Sequence, residues 1–221
     1  TRSLHDQQSS NTRFDNNSLL LKQHIIWRVS VNLNPLILIL TVGSLAACAS
    51  PTPPSISSQD VESRFAEFER INMLPQTSID NLPTGSASFV GSAGGRASGD
   101  ADGAVIGDMV MNVNFDGNTI DGLINNLNLL DENDVPEQLL VGDLTLSGSE
   151  ADGVLRAIAS GQLTAVGEER IRGSANVTLN LNGNVVTDTT EGDSVTGTVS
   201  GRAGGNFDIT ISNGNFYGKS E

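Results

Sequence analysis

What most limits the folds open to this chain is a two-residue hydrophobic rhythm that recurs through the sequence after Leu82. Val105, Met109, Met111, Val113 and Phe115 alternate with Asp108, Asn112 and Asn114. Ile171, Gly173, Ala175, Val177, Leu179 and Leu181 alternate with Arg172, Ser174, Asn176, Thr178, Asn180 and Asn182, and Val195, Gly197, Val199, Gly201 and Ala203 repeat the pattern. Successive side chains of a strand point to opposite faces, so strict alternation means one buried face and one wet face. Pairs such as Asp102-Gly103, Asp116-Gly117, Asp121-Gly122, Asp152-Gly153, Asn182-Gly183 and Asn213-Gly214 punctuate the runs, and several suit tight hairpins.

Candidate strands fall near 86–93, 104–115, 118–129, 140–148, 154–165, 171–182, 194–203 and 206–217. Many strands with no second apolar layer predict a meander closed on itself, because closure removes unpaired edges. A membrane-spanning barrel would carry an apolar outer band and aromatic girdles. Here the outward positions are Asn, Thr, Ser, Asp and Arg. The fold expected is mainly β: a water-soluble, antiparallel, up-and-down β-barrel of about eight strands over 81–221. Inward Gly173, Ala175, Gly197 and Gly201 predict a narrow, filled interior at one end.

Ahead of the strands, the period is helical over 58–72. Val61, Phe65, Phe68 and Ile71 or Asn72 share one face, Glu62, Glu67, Glu69 and Arg70 the other, and Ser57 with Asp60 makes a capping pair. A fifteen-residue helix is marginal alone. Its apolar stripe is therefore expected to dock on the β domain, plugging an open end. Residues 59–80 are read as this helix and a linker.

Residues Pro35 to Ala47 form a short apolar run behind Lys22 and Arg28. A membrane span needs about 20 apolar residues, so this run reads as the core of a signal peptide over 29–47. It ends Leu45-Ala46-Ala47-Cys48, which resembles the lipobox of bacterial lipoproteins. That resemblance implies acylation of the Cys48 thiol, cleavage before it, and a firm bilayer anchor, since each buried methylene contributes about 0.8 kcal/mol. Ala49 after the cysteine resembles the pattern for outer-membrane sorting. Residues 48–58, rich in Pro, Ser and Thr, read as a tether. Residues 1–28 fit poorly as an n-region and are expected to be an over-extended or disordered N-terminus.

Cleavage before Cys48 would leave no histidine and no tryptophan, with eight basic and 24 acidic residues, a net charge of −16. So acidic a domain repels phosphate backbones, which argues against nucleic acid. Neither a Ser-His-Asp triad nor a Cys-His pair can be built without histidine. Adjacent carboxylates such as Asp131-Glu132 or Glu168-Glu169 point to opposite faces on an extended strand. No catalytic residue, cofactor or resident metal is expected. Asp100-Ala101-Asp102-Gly103 and Asp131-Glu132-Asn133-Asp134 gather hard oxygen ligands, but the twelfth position from Asp100 is Met111 where an EF-hand needs Glu. Solvated turns are the favoured reading, with calcium stabilisation as the rival. The longest polar insertions, Asn125 to Glu137 and Val185 to Asp193, are where recognition loops would sit.

Two stretches carry a further resemblance. Leu82-Pro83-Thr84-Gly85-Ser86-Ala87-Ser88-Phe89-Val90-Gly91 opens the β region, and Gly214-Asn215-Phe216-Tyr217-Gly218 stands near the end. Both resemble the barrel domain of transferrin-binding-protein-B-like lipoproteins, and the order of elements matches their small single-barrel, solute-binding members. The resemblance implies a barrel over about 59–221, with Gly214, Phe216, Tyr217 and Gly218 as the family motif, and a protein or small-solute ligand. Transferrin binding does not carry over, because the handle domains have no counterpart. The Pro and Gly-Gly that follow the motif in that family are replaced by Lys219-Ser220-Glu221, so closing strands are expected beyond Glu221. The reading is a non-catalytic envelope lipoprotein anchored to the outer membrane, on its surface or periplasmic face; a structural or adhesive module is the alternative.

Overall fold

The structure is a computed structural model and describes residues 54–167 and 169–221. Cys48, the cleavage residues Leu45, Ala46 and Ala47, and Glu168 lie outside the described residues. One helix, α1 (Ser58–Asn72), and a 3₁₀ turn (Ile79–Asn81) precede nine strands. These are β1 (Ser86–Gly99), β2 (Gly103–Asn114), β3 (Thr119–Leu130), β4 (Pro136–Val141), β5 (Leu144–Ala151), β6 (Val154–Ala165), β7 (Gly173–Asp188), β8 (Gly192–Gly205) and β9 (Ile209–Ser220). None of the described helices is long and apolar enough to cross a membrane.

All ladders are antiparallel, and the ring runs from β1 through β2 and β3 round to β9. It closes where β9 pairs with β1, from Phe89↔Ser220 to Gly99↔Ile209. The closing contact sought beyond Glu221 is thus made by β9 itself. β4 and β5 share one position in the ring. Both lie along β3 on one side and pair with β6 in a single register on the other. The break between them falls at Gly142, whose φ of +135° suits glycine. The nine strands therefore fill eight positions, and the expected up-and-down barrel is the observed fold.

The interior is filled by side chains. Phe89, Phe216, Met109, Met111, Leu129, Leu144, Leu146, Leu155 and Leu163 are fully buried. Phe216 lies against bare backbone, since a Cβ on Gly183 or on Gly197 would fall 2.6 Å from its ring. This is the role of inward glycine on β7 and β8. Gly173 differs from the others: it opens β7 exposed, at φ +79°.

Both ends are covered. At one, buried Gln138 donates to the Ile171 carbonyl at 2.9 Å and accepts from the Ile171 N–H at 3.3 Å, holding Ile171 over the core. Ile171 is therefore in a loop, and β7 starts at Gly173. At the other end, the chain after α1 lies across the strands. The Thr77 N–H donates to the Val185 carbonyl at 3.0 Å, the Thr187 N–H to that of Pro75 at 3.1 Å, and Leu82 packs on the core. This linker takes the place expected for the helix.

α1 instead packs on the outer wall. Its start is as expected, with Ser57 and Asp60 forming a complete capping box. Val61 packs on Ala104, Ile106 and Leu130, which point outward because their neighbours Val105 and Leu129 point in. A docking surface thus exists on the wall rather than at the mouth. The two stretches expected as recognition loops are largely strand: 125–130 belongs to β3 and 185–188 to β7.

Candidate functional site

α1 crosses the wall from β2 and β3, where Val61 packs, to β9 and β8, and leaves a groove of about 230 Å³ beneath it. The helix supplies Arg64, Phe65 and Phe68, β1 supplies Ser92 to Arg96, and β9 supplies Asn213, Asn215 and Tyr217. Its position is set at both ends of the helix. Near the start, Arg64 donates to the Ser92 hydroxyl at 3.1 Å and pairs with Asp108 at 2.6 Å. Ser92 in turn donates to the Gly107 carbonyl at 2.6 Å. Near the finish, Arg70 pairs with Glu67, with Asp188 at the end of β7, and with Glu191. Lys219 of β9 joins Glu67 at 3.2 Å and Glu191 at 3.5 Å. Arg70 donating to Glu67 holds that carboxyl below its usual range, with Lys219 adding to the effect. Asp188 is likewise lowered, first by the Thr190 N–H and then by Arg70.

At Gly94 and Gly95 the floor is backbone alone, and there the β1–β9 register slips between Gly94 and Arg96. Opposite, Asn213 takes φ +48°, a conformation asparagine tolerates better than most residues. No side chain fits at the slip: a Cβ on Gly94 would lie 2.3 Å from the Val105 carbonyl oxygen, and one on Gly95 2.7 Å from Gly214 Cα. Asn213-Gly214 is therefore an irregularity within β9 and not a hairpin turn. Among the six Asx-Gly pairs, Asp152-Gly153 is a two-residue hairpin, with both residues at positive φ between β5 and β6.

The motif residues divide between two environments. Phe216 points inward and is fully buried, while Tyr217 points outward into the groove. Gly214 leaves no room for a side chain, since a Cβ there would be 2.4 Å from the Gly94 carbonyl oxygen, and Gly218 packs tightly, its Cβ position 3.0 Å from the Phe89 side chain. Burial beneath α1 pushes the Tyr217 phenol above its ordinary range. Its hydroxyl and the exposed amides of Asn213 and Asn215 have no hydrogen-bond partner among the described residues. At the rim, Arg96 pairs with Asp134 at 3.3 Å, both partly exposed. Phe65 is 43% exposed, so the helical stripe buries Val61 and Ile71 while offering one ring to the opening.

The acidic clusters close turns. Asp131 accepts from the N–H groups of Asn133 and Val135, both at 2.8 Å, which together with the Arg170 charge lowers its carboxyl, Val135 most. Asp100 accepts from the Asp208 N–H at 2.8 Å, and Asp134 belongs to Arg96. Among the described residues, no three His, Cys, Asp or Glu side chains gather as a metal would require. Arg64, Phe65, Phe68 and Asn213 come together as groove residues that strand patterning alone does not single out. The chain matches no protein-family model and no curated protein.

Proposed function

We propose that the protein is a lipid-anchored lipoprotein of the bacterial outer membrane, held through Cys48, whose barrel binds a protein or solute ligand without catalysis. The observation that carries the binding role is the groove under α1, a concave site with apolar walls and a few hydrogen-bonding groups that lack partners, the usual make-up of a ligand pocket. The lipobox ending at Cys48 supports the anchor, and the likeness of the Gly214 to Gly218 stretch to transferrin-binding-protein-B-like barrels supports a solute- or protein-binding role. The absence of histidine after Cys48 supports a non-catalytic role.

Native mass spectrometry of the protein purified gently from its own membranes tests this reading. A non-covalent adduct on the wild type that is lost from a Phe65→Ala/Tyr217→Ala double variant is the expected result. Identical spectra for the two proteins would remove the groove from the reading.

A further inference from the structure

We propose that the groove takes one neutral pyranose ring, as a free sugar or as one residue of a glycan. The inference rests on reading the groove as the binding site and assigns the chemical class of its ligand. Size comes first. At about 230 Å³ the space lies below the ~300 Å³ at which pockets for drug-sized molecules begin, so it suits a single ring.

Charge narrows the choice. The chain from Cys48 onward carries −16, and Phe65, Phe68 and Tyr217, aromatic rings whose faces are negative, line the groove, so an anion is disfavoured twice. A cation would profit from those faces but would meet Arg64 and Arg96 in the same walls. Asp134 and Asp108 already balance these two arginines, which leaves the groove close to neutral.

Polarity decides between the neutral ligands that remain. The Tyr217 hydroxyl and the amides of Asn213 and Asn215 each donate and accept, and none has a partner among the described residues. A purely apolar ring would displace their water and return no hydrogen bond, at a loss of affinity. A pyranose supplies both requirements. Its C–H face lies against aromatic rings, and its hydroxyls, each donor and acceptor, surround that face. Gly94 and Gly95 line the groove with backbone alone, so a ring can lie against the sheet there.

The test uses the mature chain with Cys48→Ser, isotope-labelled and free of detergent. It is titrated with methyl glycosides of glucose, galactose and N-acetylglucosamine, and separately with glucuronate, tetramethylammonium and p-cresol. Saturable amide shifts at Gly94, Gly95, Asn215 and Tyr217 with at least one methyl glycoside, and not with the ions, are expected. Removing one hydrogen bond of about 1–1.5 kcal/mol, Tyr217→Phe should weaken that binding roughly tenfold with other amides unmoved. Phe65→Ala, at an exposed position, should weaken it as well without unfolding the domain. If the groove responds only to tetramethylammonium, glucuronate or p-cresol, the groove stands as a site and the sugar assignment falls. If no probe moves these amides, the sugar assignment falls and the groove reading loses its support with it.

Discussion

Phe216 and Tyr217 are adjacent in sequence, yet the register of β9 sends them to opposite faces, and this can be read as a difference in stability. Phe216 is 1% exposed and rests on Gly183 and Gly197, two positions with no side chain to move into a vacated space. Truncating it to Ala removes a fully buried ring and leaves a void that strand backbone cannot fill, a change that costs about 3–5 kcal/mol. In a domain whose whole stability is on the order of 5–15 kcal/mol, that is a large fraction. Tyr217 faces the groove, half-buried and open to water, so Tyr217→Ala should cost only about 1–2 kcal/mol. Urea unfolding of both variants, followed by far-ultraviolet circular dichroism, gives the two numbers. A one-residue slip of β9 would exchange the two faces. Equal losses, or a larger loss for Tyr217→Ala, would refute the register and with it the groove.

Three further outcomes follow from the same contacts. Gln138→Leu keeps the shape but leaves the Ile171 N–H and carbonyl unpaired in a buried position, so a loss of about 1–3 kcal/mol is expected in the same unfolding assay. Ser57→Ala removes the capping box and should weaken α1 by about 1 kcal/mol, seen as faster hydrogen exchange in its first turn while the strand amides keep their protection. The Glu67 and Asp188 carboxyls sit below their usual range in the fold, so the stability they bring is present above the unfolded carboxylate pKa of about 4 and is lost as pH falls through the lowered values. Tyr217, the only tyrosine and a groove residue, reports this directly: its fluorescence should hold from pH 8 to about 5 and change only at lower pH, and Arg70→Ala should change it already at neutral pH.

How far the sequence could be read depended on whether each signal was local. The barrel was legible because alternation and hairpin spacing are properties of single strands, and α1 because its cap and its period lie within one segment. Partnering was not local. Val105 is visible as an inward residue, but the apolar run Ala104-Val105-Ile106 does not say what covers its outward members, which is Val61 of α1. The same holds for Asn128, fully buried on the outer wall beneath Ser55, which gave a polar stretch the look of a loop. Gly183 and Gly197 belonged to the alternation, yet their use as the seat of Phe216 depends on three strands meeting. The groove joins α1 to the first and last strands of the ring, a relation that no short window of sequence contains.

The claim that the barrel is held to a membrane through Cys48 is open to one direct measurement, the intact mass of the protein extracted from the membranes of cells expressing it. A chain beginning at Cys48 with the added mass of a diacylglycerol thioether is expected, with loss of both the lipid and the membrane association in Cys48→Ser. A chain that retains the residues before Cys48, or one with an unmodified thiol there, would contradict it.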